Sequence, residues 1–270
     1  MDVRDKVIVV TGAADGIGKA MAQRFAAEGA RALVLCDIDE ARVRGVAEPL
    51  GALAMRVDVS QQPEIEALVA AAENAHGPID LFCSNAGITG APGLPTSPAD
   101  WNVTWGVNVM AHVHAANTVL PGMLARGEGY LLNTCSAAGL LTQLGGAAYA
   151  VTKHAAVAFA EWIAVTYGDQ GIKVSALCPM AVETKLLRGG FEPTADNPSP
   201  AANSVTMAGA TLMPADVAEA VILGLKAEKF LILPHEEVLT FWQRKTSDYD
   251  RWIHGMQRFQ ARVAAATSDL

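Results

Sequence analysis

Seven short runs rich in Val, Ile and Leu punctuate the chain, at Lys6–Val10, Arg31–Cys36, Ala52–Val59, Ile79–Ser84, Tyr130–Cys135, Ile172–Leu177 and Phe230–Leu233. They read as continuous apolar runs rather than alternating ones, the pattern of strands covered on both faces of a parallel sheet. Segments of helical period fill the intervals: Lys19–Glu28, Asp39–Leu50, Pro63–Asn74, Val107–Arg126, Tyr149–Gly168 and Pro214–Ala227. Parallel strands need long crossovers, and helices supply them. The alternation therefore predicts an α/β fold, a doubly wound seven-stranded parallel sheet with helices on both faces and a ligand at the carboxyl ends of the strands.

No repeat or low-complexity linker divides the 270 residues, so residues 1–270 are expected to form a single domain. Two stretches break the alternation. Lys185–Met213 carries Gly189, Gly190, Pro193, Pro198 and Pro200 without a clear period, and residues 185–213 are expected to be a substrate lid. Residues 236–270 are expected to be a C-terminal helical extension, with Phe241, Trp242, Tyr249, Trp252, Ile253, Met256, Phe259 and Val263 on one apolar stripe used for core or subunit packing.

Composition narrows the partners. Twenty-eight acidic against twenty basic residues leave a net charge of −8, which disfavours nucleic acid and anionic membranes as partners and favours a small neutral or weakly charged ligand. The longest apolar candidate, Ala155–Val165, is interrupted by Glu161 and is too short to span a bilayer. The run Val7–Val10 is too short for a signal peptide, so a cytoplasmic location is expected. Cys36, Cys83, Cys135 and Cys178 are widely spaced and are expected to be buried and reduced; neither they nor the six histidines form a ligand pattern, so no metal is expected.

Immediately after the first strand comes Thr11-Gly12-Ala13-Ala14-Asp15-Gly16-Ile17-Gly18, running into a helix. Gly12 and Gly16 allow a tight turn close to a pyrophosphate, Gly18 allows close helix packing, and the helix N-terminus offers free N–H groups to the phosphates. The second strand ends at Asp37, about 20 residues on, where a carboxylate accepts the adenosine ribose hydroxyls and repels a 2′-phosphate. With Asp at 15 and Ile at 38, the loop offers no compensating cation, so the expected cofactor is NAD. This is the Rossmann-type arrangement.

Tyr149-Ala150-Val151-Thr152-Lys153 sets a phenol and an ammonium four residues apart on one helix face. A fixed cation there, together with a cationic nicotinamide, is expected to lower the tyrosine pKa toward that of a general base. Ser136 closes the fifth strand, Asn85-Ala86-Gly87 the fourth and Asp58-Val59 the third, and Asn108 lies in the long helix after the fourth. In this combination the sequence resembles the short-chain dehydrogenase/reductase family, in its single-domain NAD-dependent branch, from about Asp5 to Leu233.

The resemblance implies a catalytic tetrad of Asn108, Ser136, Tyr149 and Lys153. Tyr149 would be the acid/base on the substrate oxygen and Ser136 its hydrogen-bonding partner. Lys153 would bind the nicotinamide ribose and lower the Tyr149 pKa, and Asn108 would hold a relay water. It implies Asp58 and Val59 at the adenine, Asn85, Ala86 and Gly87 along the adenosine ribose, and Pro179, Val182 and Thr184 near the nicotinamide. The family usually has Gly where Met180 stands, so Met180 is expected to shape the pocket. The chain end also differs from that of tetrameric relatives; a homodimer through the helices of Asn108 and Tyr149, or a homotetramer, is the family expectation.

The activity expected is hydride transfer between NAD and a secondary alcohol or ketone with an apolar steroid, aryl or aliphatic body. Ser136, Gln143, Leu144, Tyr149, Met180 and Leu187 are expected to touch the substrate, with Leu140, Leu141, Leu186, Phe191 and Trp242 as further walls. The alternatives are an NADP-linked carbonyl reductase and a non-catalytic NAD-sensing or scaffold protein.

Overall fold

A computed structural model describes residues 1–93, 96–191 and 200–268, except for the side chains of residues 189–203 and 267–268. The seven strands are β1 (Val7–Thr11), β2 (Ala32–Asp37), β3 (Leu53–Arg56), β4 (Leu81–Ser84), β5 (Gly129–Thr134), β6 (Ile172–Leu177) and β7 (Leu231–Ile232). All neighbours pair in parallel in the order β3-β2-β1-β4-β5-β6-β7. The chain winds outward from β1 to β3 and then returns to β4 beside β1. That reversal leaves a crevice above the carboxyl ends of β1 and β4, where such sheets bind ligands.

Alternation along β1 shows why both faces are covered. Val7 and Val9 enter one buried cluster, Ile8 and Val10 the other. Helices α1 (Gly16–Ala27), α2 (Glu40–Ala47), α3 (Gln62–His76), α4 (Pro98–Trp105), α5 (Ala111–Arg126), α6 (Ala147–Tyr167), α7 (Lys185–Phe191), α8 (Pro200–Ala208), α9 (Pro214–Lys226), α10 (Glu237–Ser247) and α11 (Tyr249–Ser268) complete the architecture. No helix among the described residues is long and apolar enough to cross a membrane. The four cysteines are buried and free.

Several boundaries differ from the sequence expectation. Helix α4 is an addition, started by Ser97, whose hydroxyl accepts the Asp100 N–H at 3.1 Å while the Asp100 carboxylate accepts the Ser97 hydroxyl at 2.7 Å. Asn108 lies in a π turn, Gly106–Met110, ahead of α5 rather than in the regular helix. β3 ends at Arg56, so Asp58 and Val59 lie beyond it; Ser136 lies two residues past β5 and caps the short 3-10 turn Ala137–Gly139.

The aperiodic segment 185–213 contains α7 and α8, and Val182 pairs with Leu212 across it. Residues 192–199 of that expected lid lie outside the described residues, as does the side chain of Phe191. The apolar stripe expected on one C-terminal helix is divided between α10 and α11. Asp248 breaks it with extended backbone, φ −156° and ψ 97°, and its carboxylate accepts the Arg251 N–H at 2.9 Å to start the second helix.

Candidate active site

One cavity of about 1080 Å³ opens over the crevice. Its floor is the glycine turn between β1 and α1. Gly12 has φ +64°, and a Cβ on it would lie 2.8 Å from the Ala86 Cα; Gly16 has φ +52°, and its Cβ would lie 2.9 Å from the Thr184 Cγ2. Both therefore need a left-handed backbone and an empty Cβ position. Asp15 caps α1, accepting the Gly16 N–H at 2.8 Å, and Ile17 and Gly18 complete this wall of the cavity.

At the end of β2, the Asp37 carboxylate is held from both sides, accepting the Ala14 N–H at 3.1 Å and the Asp39 N–H at 3.1 Å. It faces the cavity with spare lone pairs. Ile38, Asp58, Val59, Asn85, Ala86, Gly87, Pro179, Val182 and Thr184 line the same cavity. A glycine cradle at the helix N-terminus, a carboxylate at the end of β2 and a long, partly apolar trough fit a dinucleotide.

Above the cradle, β5 and α6 bring Ser136, Tyr149 and Lys153 to one wall of this cavity. Tyr149 is buried, and the Ser136 hydroxyl lies within hydrogen-bonding reach of its phenol. Lys153 Nζ donates to the Thr134 carbonyl at 3.0 Å and lies 5.7 Å from the Tyr149 ring centre. Burial raises the Tyr149 phenol above its ordinary value, partly offset by Ser136, and burial lowers the Lys153 ammonium. In the chain by itself desolvation outweighs a cation that is itself desolvated and turned toward a carbonyl, so the expected lowering calls on the cationic nicotinamide as well as Lys153.

Asn108 is fully buried and clamps the loop after β4, its Oδ1 accepting the Ile88 N–H at 2.9 Å. Its Nδ2 donates to the Ile88 carbonyl at 2.8 Å and the Thr152 hydroxyl at 3.1 Å. Both amide protons are thus spent on protein, and the side chain ties α6 to that loop. Asn85, expected along a ribose, likewise turns its side chain inward. Its Nδ2 donates to the Thr11 carbonyl at 2.9 Å and its Oδ1 accepts the Thr134 hydroxyl at 3.0 Å. A continuous strut therefore runs from the glycine turn through Asn85 and Thr134 to Lys153.

The sequence model of the short chain dehydrogenase family matches residues 6–193. The chain belongs to that family. It is 33% identical over 250 residues to a 1-deoxy-11-beta-hydroxypentalenate dehydrogenase of Streptomyces avermitilis, covering 89% of this chain and 88% of that one. It is 35% identical to a meso-2,3-butanediol dehydrogenase of Serratia marcescens, covering 68% and 74%. A solved short chain dehydrogenase/reductase from Burkholderia phymatum, in complex with NAD, superposes with a TM-score of 0.83 at 32% identity, covering 93% of this chain and 96% of that one. The protein is accordingly an oxidoreductase of small-molecule alcohols or ketones.

Within this short-chain dehydrogenase, tertiary structure adds residues that sequence did not single out. Arg42, three residues into α2, lines the cavity and pairs with Asp15 at 2.9 Å, so the statement that the cofactor loop has no cation is corrected. Its signal was there: Asp39 caps α2 by accepting the Arg42 N–H at 3.1 Å, which fixes Arg42 on the first turn of that helix. His235 is the second. Its Nδ1 accepts the Met180 N–H at 3.2 Å, so Nε2 carries the proton and donates to the Ala181 carbonyl at 3.1 Å, pinning the segment that carries Val182 and Thr184.

The expected substrate wall is also revised. Leu141, Gln143, Leu144, Met180, Leu186 and Leu187 line the cavity as expected, but Leu140 and Trp242 do not, and Trp252 joins the wall. Leu140 instead packs into the core and offers its carbonyl to the buried Lys245 Nζ at 2.7 Å. Gln143 donates to the Ser204 hydroxyl at 3.0 Å, joining the active-site loop to α8.

His112, on α5, is buried, and among the described residues neither ring nitrogen has a hydrogen-bond partner. Burial, and then the charge of Lys153, push it down to about 3. Its folded pKa lies below its unfolded one, so the stability it retains above about pH 6.5 is lost progressively as pH falls toward 3. Between about pH 7.5 and 5.5 the wild type should lose about 1.4 kcal/mol more unfolding free energy than His112→Leu, measured by urea denaturation. Parallel losses in the two proteins would show that His112 does not remain neutral.

Proposed function

We propose that the protein is an NAD-dependent dehydrogenase of secondary alcohols, or reductase of the corresponding ketones, with a predominantly apolar substrate. The convergence of Ser136, Tyr149 and Lys153 with the glycine cradle in one cavity carries this reading. Bound with its pyrophosphate over Gly12, Gly16, Ile17 and Gly18, the nicotinamide cofactor would supply or accept the hydride at C4. Asp37 receives the adenosine ribose, Asp58 and Val59 the adenine, and the backbone of Asn85, Ala86 and Gly87 lines the ribose side. Pro179, Val182 and Thr184 flank the nicotinamide.

In ketone reduction Tyr149 gives its phenolic proton to the carbonyl oxygen, and in alcohol oxidation it takes that proton back. The burial that raises its pKa keeps it protonated and suits it to the acid role. Ser136 hydrogen-bonds the same oxygen and orients it. Lys153, held by the Thr134 carbonyl, keeps further N–H donors for the nicotinamide ribose. Asn108 holds α6 against the loop after β4 and so fixes Tyr149 in place. Leu141, Leu144, Met180 and Leu187 exclude water from the reacting carbon. Exposed Val151, Trp162 and Val165 on α6 support a homo-oligomer assembled through that helix.

The reading is tested by following NADH absorbance with steroidal, aryl, aliphatic and polyol secondary alcohols. Turnover of an apolar member is the expected result, and inertness toward all classes with both cofactors would overturn it, leaving a non-catalytic NAD-binding role.

Arg42 favours a second reading, an NADP-linked carbonyl reductase, because its guanidinium lines the same cavity as Asp37 and would meet a 2′-phosphate on leaving Asp15. Asp37 opposes it by repulsion, and its two backbone donors hold the carboxylate in place. Asp37→Ala combined with Ile38→Arg should therefore shift the NADP/NAD ratio of kcat/KM upward by about tenfold or more. An unchanged ratio would mean that ribose recognition lies elsewhere.

A further inference from the structure

The cavity has a second chemical character at the end farthest along the chain. In a protein of net charge −8, the cavity residues contributed by α10 and α11 include Arg244, Arg251, Arg258 and Arg262 and no acid. Among the described residues none of these four forms an ion pair, whereas Arg24, Arg42, Arg44, Arg56 and Arg188 each do. Unpaired arginines facing one cavity are placed for a ligand rather than for the fold.

Their spacing on α11 sharpens this. Arg251, Gly255, Arg258 and Arg262 follow at four, three and four residues, which makes one stripe of the helix, and all four line the cavity. Gly255 leaves room there: a Cβ on it would come no nearer than 3.9 Å to Arg258 Nη2. Beside this basic stripe runs an apolar one, Trp252, Met256 and Phe259, also facing the cavity, with the Arg262 guanidinium 5.4 Å from the Phe259 ring centre. The helix thus offers an apolar wall bordered by bidentate donors.

Two contacts tie this wall to the reacting end. Lys245 of α10 is buried and grips the Leu140 carbonyl beside Leu141, and α8, bonded to Gln143 through Ser204, packs on α11.

We propose that the substrate carries an oxyanion, a carboxylate being the simplest, at the end remote from the reacting carbinol. Arg251 and Arg258 receive it, with Arg244 and Arg262 as flanking charges, and the apolar body lies along Trp252, Met256 and Phe259. This narrows the substrate class of the alcohol dehydrogenase reading above and rests on it. It also revises the expectation of a neutral or weakly charged ligand, because the acidic average of the chain hides a local basic field.

The test pairs fatty acids of graded length, hydroxylated at the penultimate carbon, with their methyl esters, in wild type and in Arg251→Gln/Arg258→Gln. At the best chain length the acid should exceed its ester in kcat/KM by about tenfold or more, and the double variant should lose that preference while its kcat on isopropanol and its melting temperature stay unchanged. Calorimetric titration of the NADH-loaded protein with the same acids and esters supplies a readout independent of turnover. Equal acid and ester affinity there overturns the proposal even if no alcohol is oxidised.

Turnover of neutral alcohols without any acid preference overturns the proposal and leaves the dehydrogenase reading intact. A variant that loses NADH affinity instead would assign the arginines to the cofactor. Loss of sedimentation with phosphatidylglycerol vesicles, with the acid/ester ratio unchanged, would assign α11 to a membrane surface; both outcomes overturn the proposal.

Discussion

Tyr149→Phe should lower turnover by at least about 10²- to 10⁴-fold in both directions, because it removes the only proposed proton carrier on the substrate oxygen. The ring remains, so packing around this buried side chain is preserved. The neighbouring groups keep their own partners: Ser136 Oγ still accepts the Ala138 N–H at 3.1 Å, and Lys153 still donates to the Thr134 carbonyl at 3.0 Å. NADH affinity and melting temperature should therefore be close to those of the wild type, which assigns the loss to chemistry. Retention of more than about a tenth of the activity would show that another group moves the proton.

Gly18→Ala should abolish dinucleotide binding, an effect out of proportion to one methyl group. Its Cβ would lie 2.2 Å from the Gly12 carbonyl oxygen and 2.6 Å from Asn85 Nδ2. Neither can retreat cheaply, since Gly12 shapes the cradle and Asn85 is bonded to the Thr11 carbonyl on one side and the Thr134 hydroxyl on the other. Pushing Asn85 aside therefore disturbs Thr134, whose carbonyl holds Lys153. Overpacking of this kind costs about 1 to 3 kcal/mol in stability, and the displaced cradle adds the loss of binding.

Gly45→Ala, in α2, is the matched control. A Cβ there meets nothing within 4 Å, and the substitution should stabilise the helix by about 0.5 to 1 kcal/mol. Thermal unfolding with and without NADH distinguishes the two variants. A Gly18→Ala protein that binds NADH as tightly as the wild type would show that the turn yields more freely than its hydrogen bonds imply.

How much of this was legible in the chain follows from the range of each interaction. Continuous apolar runs identify strands buried on both faces, and those at Val7–Thr11, Ala32–Asp37 and Ile172–Leu177 lie within a residue of their expected positions because the pattern itself is the driving force. Helix ends were less legible. The Ser97–Asp100 capping box that starts α4 occupies only four residues, and the π turn at Asn108 leaves no trace in hydrophobic period.

The cofactor site shows the same division. The glycine spacing and the acid at the end of β2 are local signals, bound to one strand–turn–helix unit, and could be read directly. That Asn85 and Asn108 turn their amides into the protein could not, because their partners Thr134 and Thr152 lie 49 and 44 residues away. Nor could the direction of the Tyr149 pKa, since a four-residue spacing reveals a nearby cation but not the burial that overrides it.

The sequence by itself determined the parallel sheet, its helical cover, the glycine turn and the nearness of Tyr149 to Lys153, all of which depend on residues close in the chain or on patterns repeated along it. Only the tertiary structure decided that Arg42 faces the cofactor cavity paired with Asp15, that His235 pins the Met180 segment, and that four arginines near the end of the chain face the cavity begun by its first strand. Charge and composition sum over the whole chain, whereas a binding site is made by the few groups that folding brings to one surface.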